Sequence, residues 1–227
     1  MTATFHLDGE PVALQPGDTV LEAAQRAGRD IPHLCWHPAV SPSASCRLCT
    51  VVVDGRPVAA CVTPAQPGQQ VQCHTAALQQ RRLRLLQMLF AEGNHFCPGC
   101  EKSGACRLQH EAERAGMTEL HFEPLDPHRP VDASHPDVWF EPNRCILCQL
   151  CVRASDELDG KRAFAIAGHG IGAHLIIDSP SGRLGDSRVA VTDRAVQLCP
   201  VGALLPKRVG FAVPYGQRRY DGPETRG

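Results

Sequence analysis

The sequence has little from which to build a large apolar interior. Aromatic residues make up only 5% of it, so few wide rings are available to fill a core. Long apolar runs are missing as well. The stretch from Leu83 to Phe90 is short and arginine-flanked, well below the roughly 20 residues that cross a bilayer, which excludes a membrane-spanning helix at that point and predicts a soluble chain. The first residues, Met-Thr-Ala-Thr-Phe-His-Leu-Asp-Gly-Glu, lack the basic start and apolar run of a secretory leader. A cytoplasmic protein with reduced thiols is expected, and a disulfide framework is not. No charge of one sign predominates: the formal net charge is -1 and the pI near 6.8. The chain as a whole therefore has no pull toward nucleic acid or an anionic membrane.

What is abundant is cysteine. Twelve thiols stand among 20 Gly and 19 Pro in 227 residues, a composition that suggests small loop-rich modules stapled by metal rather than by large cores. The densest stretch, His95 to Cys106, reads His-Phe-Cys-Pro-Gly-Cys-Glu-Lys-Ser-Gly-Ala-Cys. His95, Cys97, Cys100 and Cys106 make a complete four-ligand set, suited to tetrahedral zinc or to an iron-sulfur cluster. A solvated His95, with water or His110 as the fourth ligand, is the alternative for that position.

Upstream, Asp8-Gly9 between Thr4 to Leu7 and Pro11 to Leu14 predicts a tight hairpin, because both turn positions tolerate positive φ. Thr19 and Glu22 form a capping box for a short helix that Gly28 stops. Cys35, Cys46, Cys49 and Cys61 then stand in a Cys-x10-Cys-x2-Cys-x11-Cys pattern. A second hairpin, Thr50 to Val53, Asp54-Gly55 and Pro57 to Ala60, lies inside it. A zinc knuckle built on Cys46 and Cys49 is the other reading of these thiols. His33 and His37 are expected to hydrogen-bond or face solvent, since four thiols already complete the set. From about residue 75 to 91, Leu78, Leu85, Leu86, Leu89 and Phe90 recur at helical spacing, with Arg81, Arg82 and Arg84 expected on the solvated face.

Plant-type 2Fe-2S ferredoxins also crowd three thiolates on one loop and take a fourth from a distant strand, with a shorter first gap. With Cys35-Trp36-His37-Pro38 and Cys46-Arg47-Leu48-Cys49, this segment resembles the N-terminal 2Fe-2S domain of the large iron-sulfur subunit of respiratory complex I, which implies a β-grasp fold. The central set resembles the 4Fe-4S domain with one histidine and three cysteine ligands that follows it there. In that domain three residues separate the histidine from the first cysteine, whereas here only Phe96 does. The shortened form, in the frame Leu-Phe-Ala-Glu-Gly-Asn-His-Phe-Cys-Pro-Gly-Cys-Glu-Lys-Ser-Gly, is similar to the diaphorase small subunit of bidirectional NAD-reducing nickel-iron hydrogenases.

Ser103 is expected to cap a helix carrying Leu108 and Ala112, and Glu119 to Pro136 reads as a linker. Beyond a strand candidate at Val138-Trp139-Phe140 comes Cys145-x2-Cys148-x2-Cys151. Bacterial ferredoxins continue this run to a fourth cysteine that serves a second cluster; here that position is Ser155, and the Cys-Pro pair appears far downstream as Cys199-Pro200. Cys145, Cys148, Cys151 and Cys199 are read as one 4Fe-4S set. Gly168-His169-Gly170-Ile171-Gly172-Ala173 formally fits a dinucleotide fingerprint, but Leu175-Ile176-Ile177 after it reads as a strand where a helix is needed, so a glycine-rich hairpin is expected. Past Leu205 the chain reads as a tail suited to an interface or to solvent.

Eleven of the twelve thiols are then used, and Cys73 is left over as a buried small hydrophobe. The expected organisation is α+β: a β-grasp 2Fe-2S domain over 1–76, a small helical 4Fe-4S domain over 77–118, a single-cluster ferredoxin-like 4Fe-4S domain over 119–205, and a C-terminal docking tail over 206–227. No nucleophile and base, no nucleotide loop and no flavin signature appear, so no catalytic residue is assigned. The resemblance implies an electron-transfer subunit with one 2Fe-2S and two 4Fe-4S clusters. It also implies a partner large subunit carrying FMN and the NAD site, and nickel-iron hydrogenase small and large subunits at the other end. Electron-bifurcating hydrogenases, NAD-linked formate dehydrogenases and complex I-like enzymes share this cluster series. A stand-alone ferredoxin-like carrier, a redox sensor and a zinc-stapled interaction module are the alternatives of other classes. The chain stops where the complex I subunit would continue, which favours the hydrogenase reading.

Overall fold

The computed structural model describes residues 3–125 and 128–222. The chain divides into two compact units, residues up to 36 with 42–85, and residues 37–41 with those from 86 onward.

The first unit is a five-stranded mixed sheet with one helix against it. Strands β1 (Thr4–Leu7) and β2 (Glu10–Ala13) form a hairpin, followed by helix α1 (Val20–Arg26), the hairpin β3 (Thr50–Val53) and β4 (Arg56–Ala59), and β5 (Gln70–Gln72). The order is β2-β1-β5-β3-β4, with β1 and β5 parallel and every other pair antiparallel, a β-grasp. Both Asp-Gly turns form as expected: Asp8 and Gly9 have φ of 52° and 87°, and Asp54 and Gly55 of 46° and 83°. The left-handed pairs match the twist of the strands they join. The Thr19 hydroxyl accepts from the Glu22 N–H, and the Glu22 carboxylate accepts from the Thr19 N–H at 2.9 Å, so the capping box is present. Phe5, Leu7 and Val51 from the sheet meet Val20, Leu21 and Ala24 of α1 in one core that also holds Trp36, Cys49 and Cys61. Each large side chain buried there contributes about 1.5–3 kcal/mol.

Helix α2 (Ala76–Glu92) follows. Its buried residues are Leu78, Arg82, Leu86, Gln87 and Ala91, and the four-residue spacing of the first three places a cation among apolar positions. Arg82 is thus an exception to the solvated arginine face expected from the sequence.

In the second unit, helix α3 (Arg107–Arg114) follows the central cysteines, strand β6 (Val138–Phe140) pairs with β9 (Leu204–Pro206), and helix α4 (Leu150–Glu157) precedes the hairpin of β7 (Phe164–Ala167) and β8 (His174–Ile177). Helix α5 (Arg194–Gln197) leads to Cys199. The glycine-rich motif is the turn between β7 and β8. Gly168 has φ +73°, and a Cβ there would lie 2.3 Å from the Gly172 carbonyl oxygen, so a hairpin forms where a dinucleotide fold would start a helix. Ser103 does not cap α3; Cys106 stands at the cap, and the Gly104 N–H donates to Gln109 Oε1 at 2.9 Å.

The segment expected as a linker is strapped down over its described residues. Asp132 and Phe140 exchange both backbone hydrogen bonds at 2.9 Å, Leu125 donates to the Ala91 carbonyl, and the Asn143 side chain accepts from the Arg129 N–H and donates to the Arg129 carbonyl. The tail is fastened too, with the Tyr220 N–H on the Gly104 carbonyl at 2.9 Å and the Tyr220 ring stacked on His110. Among the described residues no helix is long and apolar enough to cross a membrane.

Candidate metal centres

All twelve cysteines are free thiols. The first set lies where the loop before β3 meets the end of β4. Cys35, Cys49 and Cys61 are buried and Cys46 is half-buried. Ala44 and Arg47 take φ of 54° and 56°, left-handed steps that turn backbone N–H groups inward. The Cys46 N–H lies 3.5 Å from Cys35 Sγ, and Cys46 Sγ accepts from the N–H groups of Leu48 and Leu34. The sulfurs of Cys35 and Cys46 touch, as do those of Cys49 and Cys61, and Cys61 also reaches Cys35. Thiol donation from Cys46 and Cys61 lowers the pKa of Cys35, while serving as donors raises Cys46 and Cys61. Cys49, which competes with Cys35 for the single Cys61 thiol proton, is brought down to about 7. Two of the four thiols, Cys35 and Cys49, are thus shifted toward the thiolate and two, Cys46 and Cys61, away from it.

The second set begins just after α2. Among its four members His95 is the informative one. Its Nε2 is buried with no hydrogen-bond partner, while the ring bonds to the Leu89 carbonyl, which leaves Nδ1 for that carbonyl. A histidine anchored through one nitrogen with the other bare has the arrangement of a metal ligand. Burial, assisted by the positive charge of Arg144, lowers its pKa to about 4, so the imidazole stays in the neutral, ligating form. Burial pushes Cys97 up, reinforced by Cys100, and pushes Cys106 up to about 12, with Cys97 and Cys100 adding to the effect. Two buried thiols shifted against ionisation, Cys97 and Cys106, would be favoured as thiolates by a cation beside them.

The third set lines a pocket in which Cys145, Cys148, Cys151 and Cys199 are joined by apolar chains including Ile166, Leu175 and Leu204. Leu147 and Gln149 have φ of 53° and 61°, and the Leu147 N–H donates to Cys145 Sγ. Burial raises Cys145 to about 11 and Cys151 well above the ordinary thiol value, with the other thiols of the set adding to the rise. Ser155, standing where a two-cluster ferredoxin has its next cysteine, accepts from the Ala163 N–H at 2.9 Å and fixes the approach to β7.

The second and third sets share one segment. The Pro200 carbonyl, next to Cys199, accepts from the Arg107 N–H at 2.8 Å, next to Cys106. A Cβ at Gly202 would lie 2.7 Å from Cys100 Sγ. Sequence reasoning missed this contact, although a glycine three residues after Cys199 is its signal.

Four ligands around zinc at about 2.3 Å would bring sulfurs to about 3.8 Å of one another. Among the described residues, none of the three sets brings three ligand atoms within 4.8 Å; Asp8, Cys73 and His74 do. That group is already satisfied without a metal. Asp8 accepts from the Cys73 and His74 N–H groups and from His74 Nδ1 at 2.8 Å, and these bonds outweigh burial and keep its carboxyl below the usual range. The Arg82 guanidinium lies 3.3 Å from Cys73 Sγ, where a metal cation would be repelled. His33 bonds to the Ile31 carbonyl and His37 accepts from the Ala39 N–H.

Three family models match in the order of the three sets: a 2Fe-2S iron-sulfur cluster binding domain over residues 1–76, the NADH-ubiquinone oxidoreductase-G iron-sulfur binding region over 82–121, and the ferredoxin-like domain of NADH-quinone oxidoreductase subunit 3 over 135–205. The HoxS gamma chain of the NAD-reducing hydrogenase of Cupriavidus necator is 36% identical across 97% of this chain and 94% of its own length. This chain belongs to the same family. A crystal structure of an NAD+-reducing NiFe hydrogenase in the H2-reduced state contains a chain that is 58% identical, with a TM-score of 0.94 over 97% of this chain and 94% of that one. The family extends to longer relatives. The mitochondrial NADH-ubiquinone oxidoreductase 78 kDa subunit of Candida albicans is 32% identical, this chain spanning 30% of its length. The alpha chain of the NADPH-Fe(3+) oxidoreductase of Geobacter sulfurreducens is 31% identical, with 24% of its length spanned.

Proposed function

We propose that this chain is the electron-relay subunit of a cytoplasmic NAD-reducing nickel-iron hydrogenase. In this reading Cys35, Cys46, Cys49 and Cys61 hold one 2Fe-2S cluster, His95, Cys97, Cys100 and Cys106 one 4Fe-4S cluster, and Cys145, Cys148, Cys151 and Cys199 another. Bound clusters supply one-electron carriers, and FMN on a partner subunit that also binds NAD supplies the conversion to two-electron hydride chemistry. The modules follow 1–76, 77–118 and 119–205, with the tail from 206 offered to neighbouring subunits.

The observation that carries this reading is the shared segment, Cys199 to Gly202, which offers a ligand to one site and packs on a thiol of the other. Two redox sites joined so directly are suited to passing single electrons. The contacting thiol pairs in the first set, Cys35 with Cys46 and Cys49 with Cys61, suit two irons with two sulfurs each, and the bare Nε2 of His95 suits a neutral fourth ligand. Nickel-iron hydrogenase small and large subunits and an FMN- and NAD-binding subunit are the partners. Phe96 is 69% exposed beside Cys97, and Val209, Phe211, Val213 and Tyr215 are exposed along the tail, giving such partners apolar surface to cover.

The anaerobic protein, isolated with its partners, is expected to hold about ten irons and as many inorganic sulfides per chain. Cys145→Ser should remove one 4Fe-4S signal and abolish hydrogen-dependent NAD reduction, while the partner's NADH-dye activity survives. Coupled turnover at the natural rate in that variant would sink the proposal.

A further inference from the structure

Arg82 is 5% exposed, yet among the described residues no carboxylate pairs with its guanidinium. Every acceptor it finds is formally neutral. Nε donates to the Leu48 carbonyl at 3.3 Å, Nη1 to the Cys73 carbonyl at 2.8 Å, and Nη2 to the Thr50 carbonyl at 3.0 Å and to Cys73 Sγ at 3.3 Å. A buried cation without a counter-charge is costly, even when its hydrogen bonds are satisfied. The carboxylates of Asp8 and Asp30 act on the neighbouring Cys73 sulfur through space, whereas the guanidinium itself is hydrogen-bonded to the cysteine loop. Leu48 and Thr50 flank Cys49, and the Leu48 N–H donates to Cys46 Sγ, so the guanidinium grips the cysteine loop on both sides of one proposed ligand.

We infer that Arg82 is a positioning residue for the 2Fe-2S site: it holds Cys49 in place and, as the nearby buried positive charge, raises the potential of the cluster. The inference rests on the assignment of Cys35, Cys46, Cys49 and Cys61 as ligands. Four thiolates around two irons carry net negative charge, and each electron accepted adds one more, so a fixed cation stabilises the reduced form. Hydrogen bonding at the Leu48 carbonyl also polarises the peptide it shares with the Cys49 N–H. Cys73 then has a role without being a ligand: its carbonyl and sulfur are two of the four acceptors that hold the guanidinium.

The test is a redox titration of the 2Fe-2S electron paramagnetic resonance signal in the assembled enzyme. Arg82→Met should keep the signal but shift its midpoint to a more negative potential, leaving both 4Fe-4S signals where they were. Arg82→Lys, which keeps the charge, should stay near the natural midpoint, and Cys73→Ala should retain the full iron content. An Arg82→Met midpoint equal to the natural one, or Lys and Met variants displaced equally, would overturn the inference. Should the Met variant fail to fold, Arg82→Gln, uncharged but still a hydrogen-bond donor, carries the same comparison. Cys46→Ser separates the underlying assignment: if the 2Fe-2S signal is unaltered in that variant, the ligand reading itself is at fault.

Discussion

At the scale of single residues, the ring of His95 has its two nitrogens in opposite conditions, one bonded to the Leu89 carbonyl and one bare and buried. Replacing this neutral imidazole with an anionic thiolate makes the site more negative. His95→Cys is therefore expected to assemble a cluster with a lower midpoint potential, measured by redox titration; an unchanged midpoint would show that His95 is not a ligand. The clustering of the cysteines was legible in the sequence because the thiols recur at short intervals that a candidate ligand set shares. Arg82 was not, because Arg81, Arg82 and Arg84 read together as one charged face. Its position four residues from both Leu78 and Leu86 was the available signal.

Among elements, the two β-hairpins of the first unit and the β7 to β8 hairpin followed from local turn chemistry at Asp8-Gly9, Asp54-Gly55 and Gly168. The strap between α3 and β6 did not, since nothing local specifies it; distant partners hold it. Asp132 is the clearest case. Its carboxylate accepts from Ser134 Oγ at 2.5 Å, from the Ser134 N–H at 2.9 Å and from the Leu184 N–H at 2.6 Å. Burial alone would raise its pKa, but these bonds and the Arg183 charge outweigh it and lower the value from 3.8. A carboxyl depressed on folding contributes stability that is complete above its unfolded value and disappears as pH falls through the folded one. Asp132→Asn should cost about 1–2 kcal/mol near neutrality, seen as a lower thermal midpoint. The gap from the natural protein should close as the medium is acidified below 3.8. A gap that stays constant into acid would remove the carboxylate from the account.

For the whole molecule, iron-sulfur and ferredoxin-like family models follow one another along most of the chain. Among the described residues no three ligand atoms of one set lie within 4.8 Å of one another, and every recognised domain model is an iron-sulfur one or a ferredoxin-like one. The order of modules along the chain was legible because each ligand set is local in sequence apart from Cys61 and Cys199. The joining of the second and third sets was hidden, because it depends on a fold that brings residues a hundred positions apart into contact.

That joining has a consequence for biogenesis. The loop between α5 and β9 that carries Cys199 also walls in Cys100 through Gly202, so filling either cavity steadies the other, and iron loading of the two should be all-or-none. Native mass spectrometry during maturation should find chains with both cubanes or neither, and Gly202→Ala, whose methyl would collide with Cys100 Sγ at 2.7 Å, should deplete the Cys145 centre along with its neighbour. An abundant half-loaded species would mean that the two cavities mature independently.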